Sequence, residues 1–192
     1  MPRHKKSPAE TPVKKSEERG EKNIPRLLGM KDFVGAEQAA YDFVVGRALN
    51  LAKLYSFSSV KTPVLESFNL FKKSTRRNND KEFYFVEAEK SEKIVLRPEL
   101  TQGMIRAYIE NNLVENPNPA RLFSLGSIFR YEKLQSGRYR ESTQFDLEII
   151  GEKKPMAEAI LISIPNNLFE ELKIDVQLQI NSLGSAECRK EY

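Results

Sequence analysis

Two long β segments dominate the second half of this 192-residue sequence. We predict strands at Arg121–Tyr131 and Gln144–Ile150, joined by a polar loop. Successive side chains of a strand point to opposite faces, so Gln144, Asp146 and Glu148 share one face and the apolar residues between them take the other. The two segments therefore predict neighbouring strands of one sheet that has a polar and an apolar face.

Helical patterns and shorter β segments fill the remaining sequence. Apolar residues at three- and four-residue steps indicate helices, and runs with β character between turn signals indicate strands. Pro63 favours a strand end or an edge strand, and Pro165 is expected to kink or split its helix. The predicted elements are a helix after Gly35, a β segment at Ser56–Leu65, a loop at Lys72–Lys81, a hairpin of Phe83–Val86 and Lys93–Arg97, a helix from Thr101 that ends before Pro117, a helix at Met156–Leu172, a strand at Val176–Ile180, a turn at Asn181–Gly184 and a helix from Ser185.

Strands do not alternate one-for-one with helices, which disfavours a doubly wound parallel sheet. We predict an α+β fold in which helices flank an antiparallel sheet. Residues 1–23 are expected to form a disordered basic leader, and residues 24–192 a folded domain. Residues 1–22 contribute +3 of the net charge of +4, so charge does not mark the folded part as a nucleic-acid-binding surface.

The sequence favours a cytoplasmic location. No apolar run reaches the roughly 18–20 residues that span a bilayer. The leader lacks the apolar core of a secretory signal, and its glutamates are unlike a mitochondrial presequence. The single cysteine, Cys188, excludes an intramolecular disulfide and is typical of a reducing compartment. We therefore expect a cytoplasmic protein without a membrane partner.

Several classes of catalytic site are excluded by the residue types. The sequence has neither GxxxxGK[ST] nor GxGxxG, the two common phosphate-binding loops. Its one histidine, His4, lies in the leader, so the predicted fold has no Ser–His or Cys–His nucleophile pair and no histidine-bearing zinc site. We assign no metal-ligand residues. Chemistry in this chain must therefore depend on Arg, Glu, Gln and backbone groups.

The polar face of the two long strands has residue types suited to a nucleotide beside an amino acid. Arginines bind phosphate through forked donors that stay protonated, whereas carboxylates and an amide suit ammonium and hydroxyl groups. A solvated sheet face with cross-strand ion pairs would have the same pattern, and on the pattern alone it is the better interpretation. The residues are Arg130 and Glu132 on the first strand, Arg138 and Arg140 in the loop, and Gln144, Asp146 and Glu148 on the second strand.

Seven motifs resemble those of histidine–tRNA ligases, a family of class II aminoacyl-tRNA synthetases. Together they cover roughly Ile24 to the end of the chain. Each motif is weak by itself, but seven in the right order are specific. The motifs are GMKDF at 29–33, KTPVLE at 61–66, LRPELT at 96–101, FRYE at 129–132, GRYRE at 137–141, QFDLEIIG at 144–151, and INSLG with the following ECR and Tyr192 at 180–192.

The resemblance implies a class II catalytic core that activates histidine with ATP and transfers it to tRNA(His), in the family normally with Mg²⁺. It implies a homodimer formed through the region around Pro63. Arg130, the implied catalytic residue, would hold the α-phosphate of ATP and the reacting carboxylate. The other implied site residues are Glu99, Thr101, Gln144 and Glu148 for histidine, Glu132 for adenine and Arg138 for the distal phosphates.

The sequence departs from the family pattern in three ways. Ser142 stands where the family usually has a phenylalanine stacked on adenine, and Met156 occupies a position that is usually acidic. The later arginine motifs and the anticodon-binding domain have no counterpart before Tyr192. We therefore expect a truncated enzyme whose activity is much lower than that of a complete one.

Two other functions remain open at this stage. A regulatory relative, such as the regulatory subunit of ATP phosphoribosyltransferase, would keep the fold without aminoacylation. A stand-alone interaction protein would dimerise around Pro63 and catalyse nothing. The presence of the nucleotide-binding set, from Arg130 to Glu148, favours a synthetase, because a purely regulatory module has less need of it.

Overall fold

The computed structural model describes residues 24–72, 82–87, 92–113, 119–181 and 184. Four predictions fall partly or wholly outside these residues and stay predictions. They are the leader at 1–23, the loop after Lys72, the turn at Asn181–Gly184 and the helix from Ser185. Among the described residues, no helix is long and apolar enough to cross a membrane.

The described elements follow the predicted order closely. The structure contains both long strands, the short hairpin and the helices after Gly35 and from Thr101. The elements are α1 (Ala36–Leu54), β1 (Ser58–Ser59), β2 (Leu65–Ser67), α2 (Phe68–Lys72), β3 (Phe85–Val86), β4 (Ile94–Leu96), α3 (Thr101–Glu110), β5 (Ala120–Phe129), β6 (Glu141–Ile150) and α4 (Met156–Glu171).

The described strands form two three-stranded sheets, β1-β5-β6 and β2-β4-β3. Strands β5 and β6 are antiparallel over their whole length, from the pair Ala120 and Ile150 to the pair Phe129 and Glu141. The second sheet is antiparallel throughout, whereas β1 pairs with β5 in parallel. The β segment predicted at Ser56–Leu65 is not continuous: β1 ends at Ser59, β2 begins at Leu65, and Pro63 lies in the connection between them, as expected for a residue that is not inside a strand.

The apolar core lies on both sides of the β5–β6 pair. One face packs against α1 and α4 through a buried cluster. The three apolar residues that were predicted for this face of β6, Phe145, Leu147 and Ile149, pack against that cluster. The other face packs against α3 near the start of β5. The first cluster comprises Leu51, Ala52, Phe57, Phe123 and Ile164, and the second Leu100, Met104, Tyr108, Leu122 and Ile128.

Three predictions about local structure are wrong or incomplete. Helix α4 is not split at Pro165 but continues from Met156 to Glu171, because burial of the neighbouring Ile164 in the core offsets the hydrogen bond that proline removes. Residues Val176–Ile180 form no strand, since within the described ranges no strand pairs with them. Phe43 of α1 lies on the predicted apolar face but is 51% exposed.

A buried arginine joins the two sheets. Arg97 follows β4 and is only 7% exposed. Its Nε donates to the Ser127 carbonyl at 2.8 Å, and its Nη1 donates to the Thr62 carbonyl at 2.9 Å. Its backbone N–H donates to Val64, and its carbonyl accepts from Phe129. Burial lowers the pKa of this guanidinium, so these oxygens, with the negative charge of Glu66, are what stabilise its charged form.

We predict that Gly126→Ala lowers the free energy of unfolding by about 1–3 kcal/mol, the usual cost of overpacking. A Cβ at residue 126 would overlap Nη2 of Arg97, which cannot move away without breaking its bonds to Ser127 and Thr62. Urea denaturation of both proteins measures the difference.

Gly46→Ala is the matched control, because a Cβ built at this position in α1 meets no atom within 4 Å apart from its chain neighbours and the backbone of its own helix. Alanine there should stabilise the helix by about 0.5–1 kcal/mol. If both substitutions gave the same change, Arg97 would not be held as described.

Candidate functional site

The predicted histidine-binding residues meet where α3 begins against the polar face of β6. Glu99 precedes α3 and Thr101 is its first residue, while Gln144 and Glu148 lie on β6. The Thr101 hydroxyl is hydrogen-bonded to the Asp146 carboxylate at 3.3 Å, and Asp146 accepts from Gln144 at 2.7 Å. The fold therefore brings all four predicted residues together, with Asp146 among them.

Glu99 has a structural role at this site. Its carboxylate accepts hydrogen bonds from the backbone N–H of Thr101 at 2.7 Å and of Gln102 at 3.1 Å. These are among the first N–H groups of α3, which have no partner inside the helix. Glu99 thus caps the start of α3, and these hydrogen bonds fix its carboxylate at the edge of the site.

The site is strongly electronegative. Burial raises the pKa of Glu99, although hydrogen bonds from Gln102 and Thr101 oppose the shift. Burial also raises the pKa of Glu148, against a hydrogen bond from Thr101. The negative charge of Asp146 adds to the increase for both glutamates. A positively charged ligand would lower the electrostatic cost of this group.

The predicted ATP-binding residues line an adjacent cavity of about 250 Å³. Arg130 donates from Nε to the Pro98 carbonyl at 2.8 Å, and the Arg138 guanidinium lies 3.5 Å from the Glu132 carboxylate. The cavity is lined by Arg130, Glu132, Gly137, Arg138, Tyr139 and Ser142. A phosphate-bearing ligand suits these arginines, and Glu132 limits their net charge.

The route by which these residues meet differs from the prediction. Strand β5 ends at Phe129, and the backbone N–H of Glu132 donates to the Arg130 carbonyl at 2.9 Å. Arg130 and Glu132 are therefore brought together by a bend after the strand. The period-two argument for these two residues is wrong, because the chain must leave the sheet to enter the loop.

Arg140, named in the sequence only as a loop arginine beside the polar face, holds the loop against the N-terminal segment. Its guanidinium lies over the Tyr131 ring at 4.0 Å, and its backbone N–H donates to the Gly29 carbonyl at 2.7 Å. Gly29 has a φ of +88°, and a Cβ there would lie 2.8 Å from the Arg140 side chain. Sequence reasoning missed this role of Gly29, although GMKDF was among the motifs.

Comparison with known proteins now decides the family. A model of the histidyl-tRNA synthetase family matches residues 29–185. The chain belongs to the histidyl-tRNA synthetase family. The predicted class II fold and the family resemblance are both confirmed.

Two curated members of the histidyl-tRNA synthetase family show how much of the relatives this chain covers. It is 36% identical to a histidine–tRNA ligase of Thermosipho melanesiensis over 171 residues, which are 87% of this chain and 41% of that protein. It is 39% identical to a Campylobacter jejuni histidine–tRNA ligase over 172 residues, 88% of this chain and 42% of that one. The chain thus spans about two fifths of the length of these relatives.

Solved structures of the family agree with the fold. The apo histidyl-tRNA synthetase of S. aureus superposes with a TM-score of 0.65 and is 27% identical in sequence. The match includes 77% of this chain and 34% of the S. aureus chain. A Bacillus halodurans structure described as an ATP phosphoribosyltransferase regulatory subunit/histidyl-tRNA synthetase has a TM-score of 0.70 at 18% identity, over 80% of this chain and 39% of that one. At that identity the second comparison shows the fold alone.

We predict that Glu148→Gln makes the folded chain more stable than the parent at neutral pH. In the folded state the pKa of Glu148 lies above its ordinary value of 4.5. The protonated side chain therefore contributes fully to the free energy of unfolding below pH 4.5, and this contribution is lost as the pH rises through the raised pKa. Glutamine carries no charge to desolvate. Urea denaturation from acidic to neutral pH should show the two proteins converging at low pH.

Glu152→Gln should have the opposite sign. Backbone N–H groups of Lys154 and Lys153 lower the pKa of Glu152, so its contribution is present at neutral pH and is lost as pH falls. Removing it should destabilise the neutral protein. A Glu148→Gln protein that is less stable at neutral pH would contradict the raised pKa.

Proposed function

We propose that this chain takes part in histidine–tRNA ligase chemistry: ATP-dependent formation of histidyl-adenylate, followed by transfer of the histidyl group to tRNA(His). The observation that carries the proposal is a direct link between the arginine-lined cavity and the acidic subsite, which is the group of carboxylates around Glu99 and Glu148. Pro98, whose carbonyl accepts from Arg130, directly precedes Glu99 of the acidic subsite. One hydrogen bond therefore connects the arginine-lined cavity with the carboxylate-rich group.

The two subsites suit the two reactants. We assign Glu99, Thr101, Gln144 and Glu148 to histidine, whose ammonium group matches the acidic subsite. The Nε of Arg130 is held by Pro98, which leaves its two terminal NH₂ groups for forked contact with the α-phosphate and the reacting carboxylate. In the remaining assignments, Glu132 contacts the adenine amino group and Arg138 the distal phosphates.

The proposed chemistry needs no protein nucleophile. A carboxylate oxygen of histidine attacks the α-phosphorus, the bond to the bridging oxygen breaks, and pyrophosphate leaves as histidyl-adenylate forms. The acyl group then moves to a hydroxyl of the terminal adenosine of tRNA(His), and AMP leaves. Arg130 would act by aligning the two reactants and by neutralising charge on the phosphate, since an arginine stays protonated.

Mg²⁺, which the family normally uses, fits this site only as an ion that accompanies ATP. Among the described residues, no group of three or more His, Cys, Asp or Glu side chains is arranged to hold a metal. Mg²⁺ commonly binds through substrate phosphates, waters and only one or two carboxylates, so it would need no such group, and Glu132 is the carboxylate that lines the cavity. When bound with ATP it would neutralise phosphate charge.

A homodimer through the region around Pro63 is part of the proposal, and we also infer a cytoplasmic location. Val64 and Leu65 beside this proline are 42% and 49% exposed, so the region offers apolar surface to a second chain.

The regulatory alternative is favoured only by the fold similarity to the Bacillus halodurans structure. It predicts ligand binding without amino-acid-dependent ATP chemistry, and this difference separates the two functions.

We predict that ATP–pyrophosphate exchange by the purified chain depends on histidine alone among the amino acids. Arg130→Ala should abolish exchange, because it removes the contact to both reacting groups. Arg138→Ala should mainly raise the KM for ATP, by about tenfold for one lost charge-assisted contact. Arg47→Ala is the control, since this arginine of α1 pairs with Glu171 on the surface.

Two outcomes would count against the proposal. Undiminished exchange in Arg130→Ala would remove the assignment of that residue. Histidine or ATP binding without exchange for any amino acid would contradict the predicted exchange, and it would fit a truncated enzyme as well as the regulatory alternative.

Ser142→Phe is expected to tighten ATP binding about ten- to a hundredfold. A stacked base gains about 1–3 kcal/mol, and Ser142 lines the cavity that holds Glu132. Calorimetric titration with ATP measures the gain. Tripolyphosphate, which has no base, should bind both proteins equally; a gain for it as well would show that the ring acts on the arginines instead.

A further inference from the structure

The orientation of the Gln144 amide is set by one neighbour. Its Nε2 donates to Oδ1 of Asp146 at 2.7 Å, and both residues lie on the polar face of β6. An ionised carboxylate only accepts hydrogen bonds, so it can pair with the NH₂ end of an amide and not with its oxygen. Asp146 therefore decides which end of Gln144 faces the rest of the site.

The opposite end of that amide is a buried acceptor. Gln144 Oε1 is inaccessible to solvent and accepts no hydrogen bond from any residue that the structure describes. A buried amide oxygen without a partner is costly, and native structures retain few of them. An N–H group of a bound ligand would remove that cost.

Asp146 also contacts the start of α3, on the side of the site opposite β6. Its Oδ2 accepts from the Thr101 hydroxyl at 3.3 Å, so one carboxylate contacts both β6 and the first residue of α3. Glu99 and Glu148 lie close enough for the Asp146 charge to affect the titration of both. The surroundings of Gln144 Oε1 therefore favour a donor that carries positive charge.

We propose that Asp146 is a positioning residue that turns the carbonyl of Gln144 toward a cationic N–H group of the substrate. The inference rests on the proposed function, because the substrate meant is histidine, and it adds a residue that the resemblance does not assign. An ammonium group and a protonated imidazole have the same donor chemistry, so the ligands used below distinguish them.

The first test is Asp146→Asn, which keeps the size of the side chain but lets either end of Gln144 face residue 146. Calorimetric titration of the full chain with L-histidine should show about tenfold weaker binding or more, the effect of losing a hydrogen bond to a charged group. ATP affinity should stay the same, since the arginine-lined cavity does not include Asp146.

The chain supplies a matched control. On α1, Gln38 Nε2 donates to Asp42 Oδ1 at 2.8 Å, which is the same pair of groups on an exposed surface. Asp42→Asn should leave histidine affinity unchanged. Equal losses in both variants, or an equal loss of ATP affinity in Asp146→Asn, would show a general structural effect and overturn the positioning role.

A double-mutant cycle tests whether Asp146 acts through Gln144. In a Gln144→Met chain there is no amide to orient, so adding Asp146→Asn should weaken histidine binding much less than it does in the parent. Fully additive losses would overturn the inference. Two analogues then identify the donor. Histidinol keeps the ammonium and the ring, whereas imidazolepropionate keeps the ring but lacks the ammonium. If Asp146→Asn weakens the binding of imidazolepropionate as well, the ring is the donor; if it weakens only histidine and histidinol, the ammonium is the donor.

A ligand-free measurement separates this inference from the proposed function. In NMR spectra the side-chain NH₂ of Gln144 should be protected from hydrogen exchange in the parent and lose that protection in Asp146→Asn. Absence of histidine binding by the parent would overturn the proposed function and the ligand assigned here. Unchanged NH₂ protection in the variant would overturn the orienting role of Asp146 alone.

Discussion

The buried guanidinium of Arg97 is the interaction on which the arrangement of the site depends. A charge removed from water is tolerated only when its donors are satisfied, and here carbonyl oxygens on both sides of the sheet junction supply the acceptors. Because these carbonyls belong to β5 and to the segment before β2, the side chain determines how close the two sheets lie. The same residue leads directly into Pro98 and Glu99. The position of the acidic subsite relative to Arg130 is therefore a consequence of how one buried cation is solvated by the backbone.

This dependence explains which parts of the fold could be predicted from the sequence. Elements determined by local pattern were predicted correctly: the β5–β6 pair, the short hairpin, α3 and the exclusion of Pro63 from the interior of a strand. Their signals are periodicity and the missing N–H of proline, which act within a few residues. The face assignment of Gln144, Asp146 and Glu148 was also correct, because a register of period two leaves no other arrangement once the apolar residues are buried.

The errors concern residues whose structure is decided by distant neighbours. Pro165 remains inside a helix because tertiary burial beside it outweighs a local hydrogen bond. Val176–Ile180 has strand periodicity, but a strand also requires a partner. Arg140 has the charge expected of a phosphate ligand, yet its position over Tyr131 depends on the turn after β5. The start of α3 at Thr101 was predicted, but residue types alone do not indicate that the Glu99 side chain would fold back to accept hydrogen bonds from the first backbone N–H groups of that helix.

The opposite charges of the two subsites bear on how a single amino acid would be oriented. Free histidine carries an ammonium and a carboxylate on one carbon, and the hydrogen bond from Arg130 to Pro98, the residue before Glu99, links the arginine-lined cavity to the acidic subsite. Under the proposed function, binding the ammonium among carboxylates whose pKa is raised by burial would lower their electrostatic cost, and the substrate carboxylate would be directed toward Arg130. The reverse orientation would bring like charges together in both subsites. On the proposed assignment, the separation of charge within the site would select the orientation in which the carboxylate of histidine meets the phosphate, before any contact with the imidazole ring is considered.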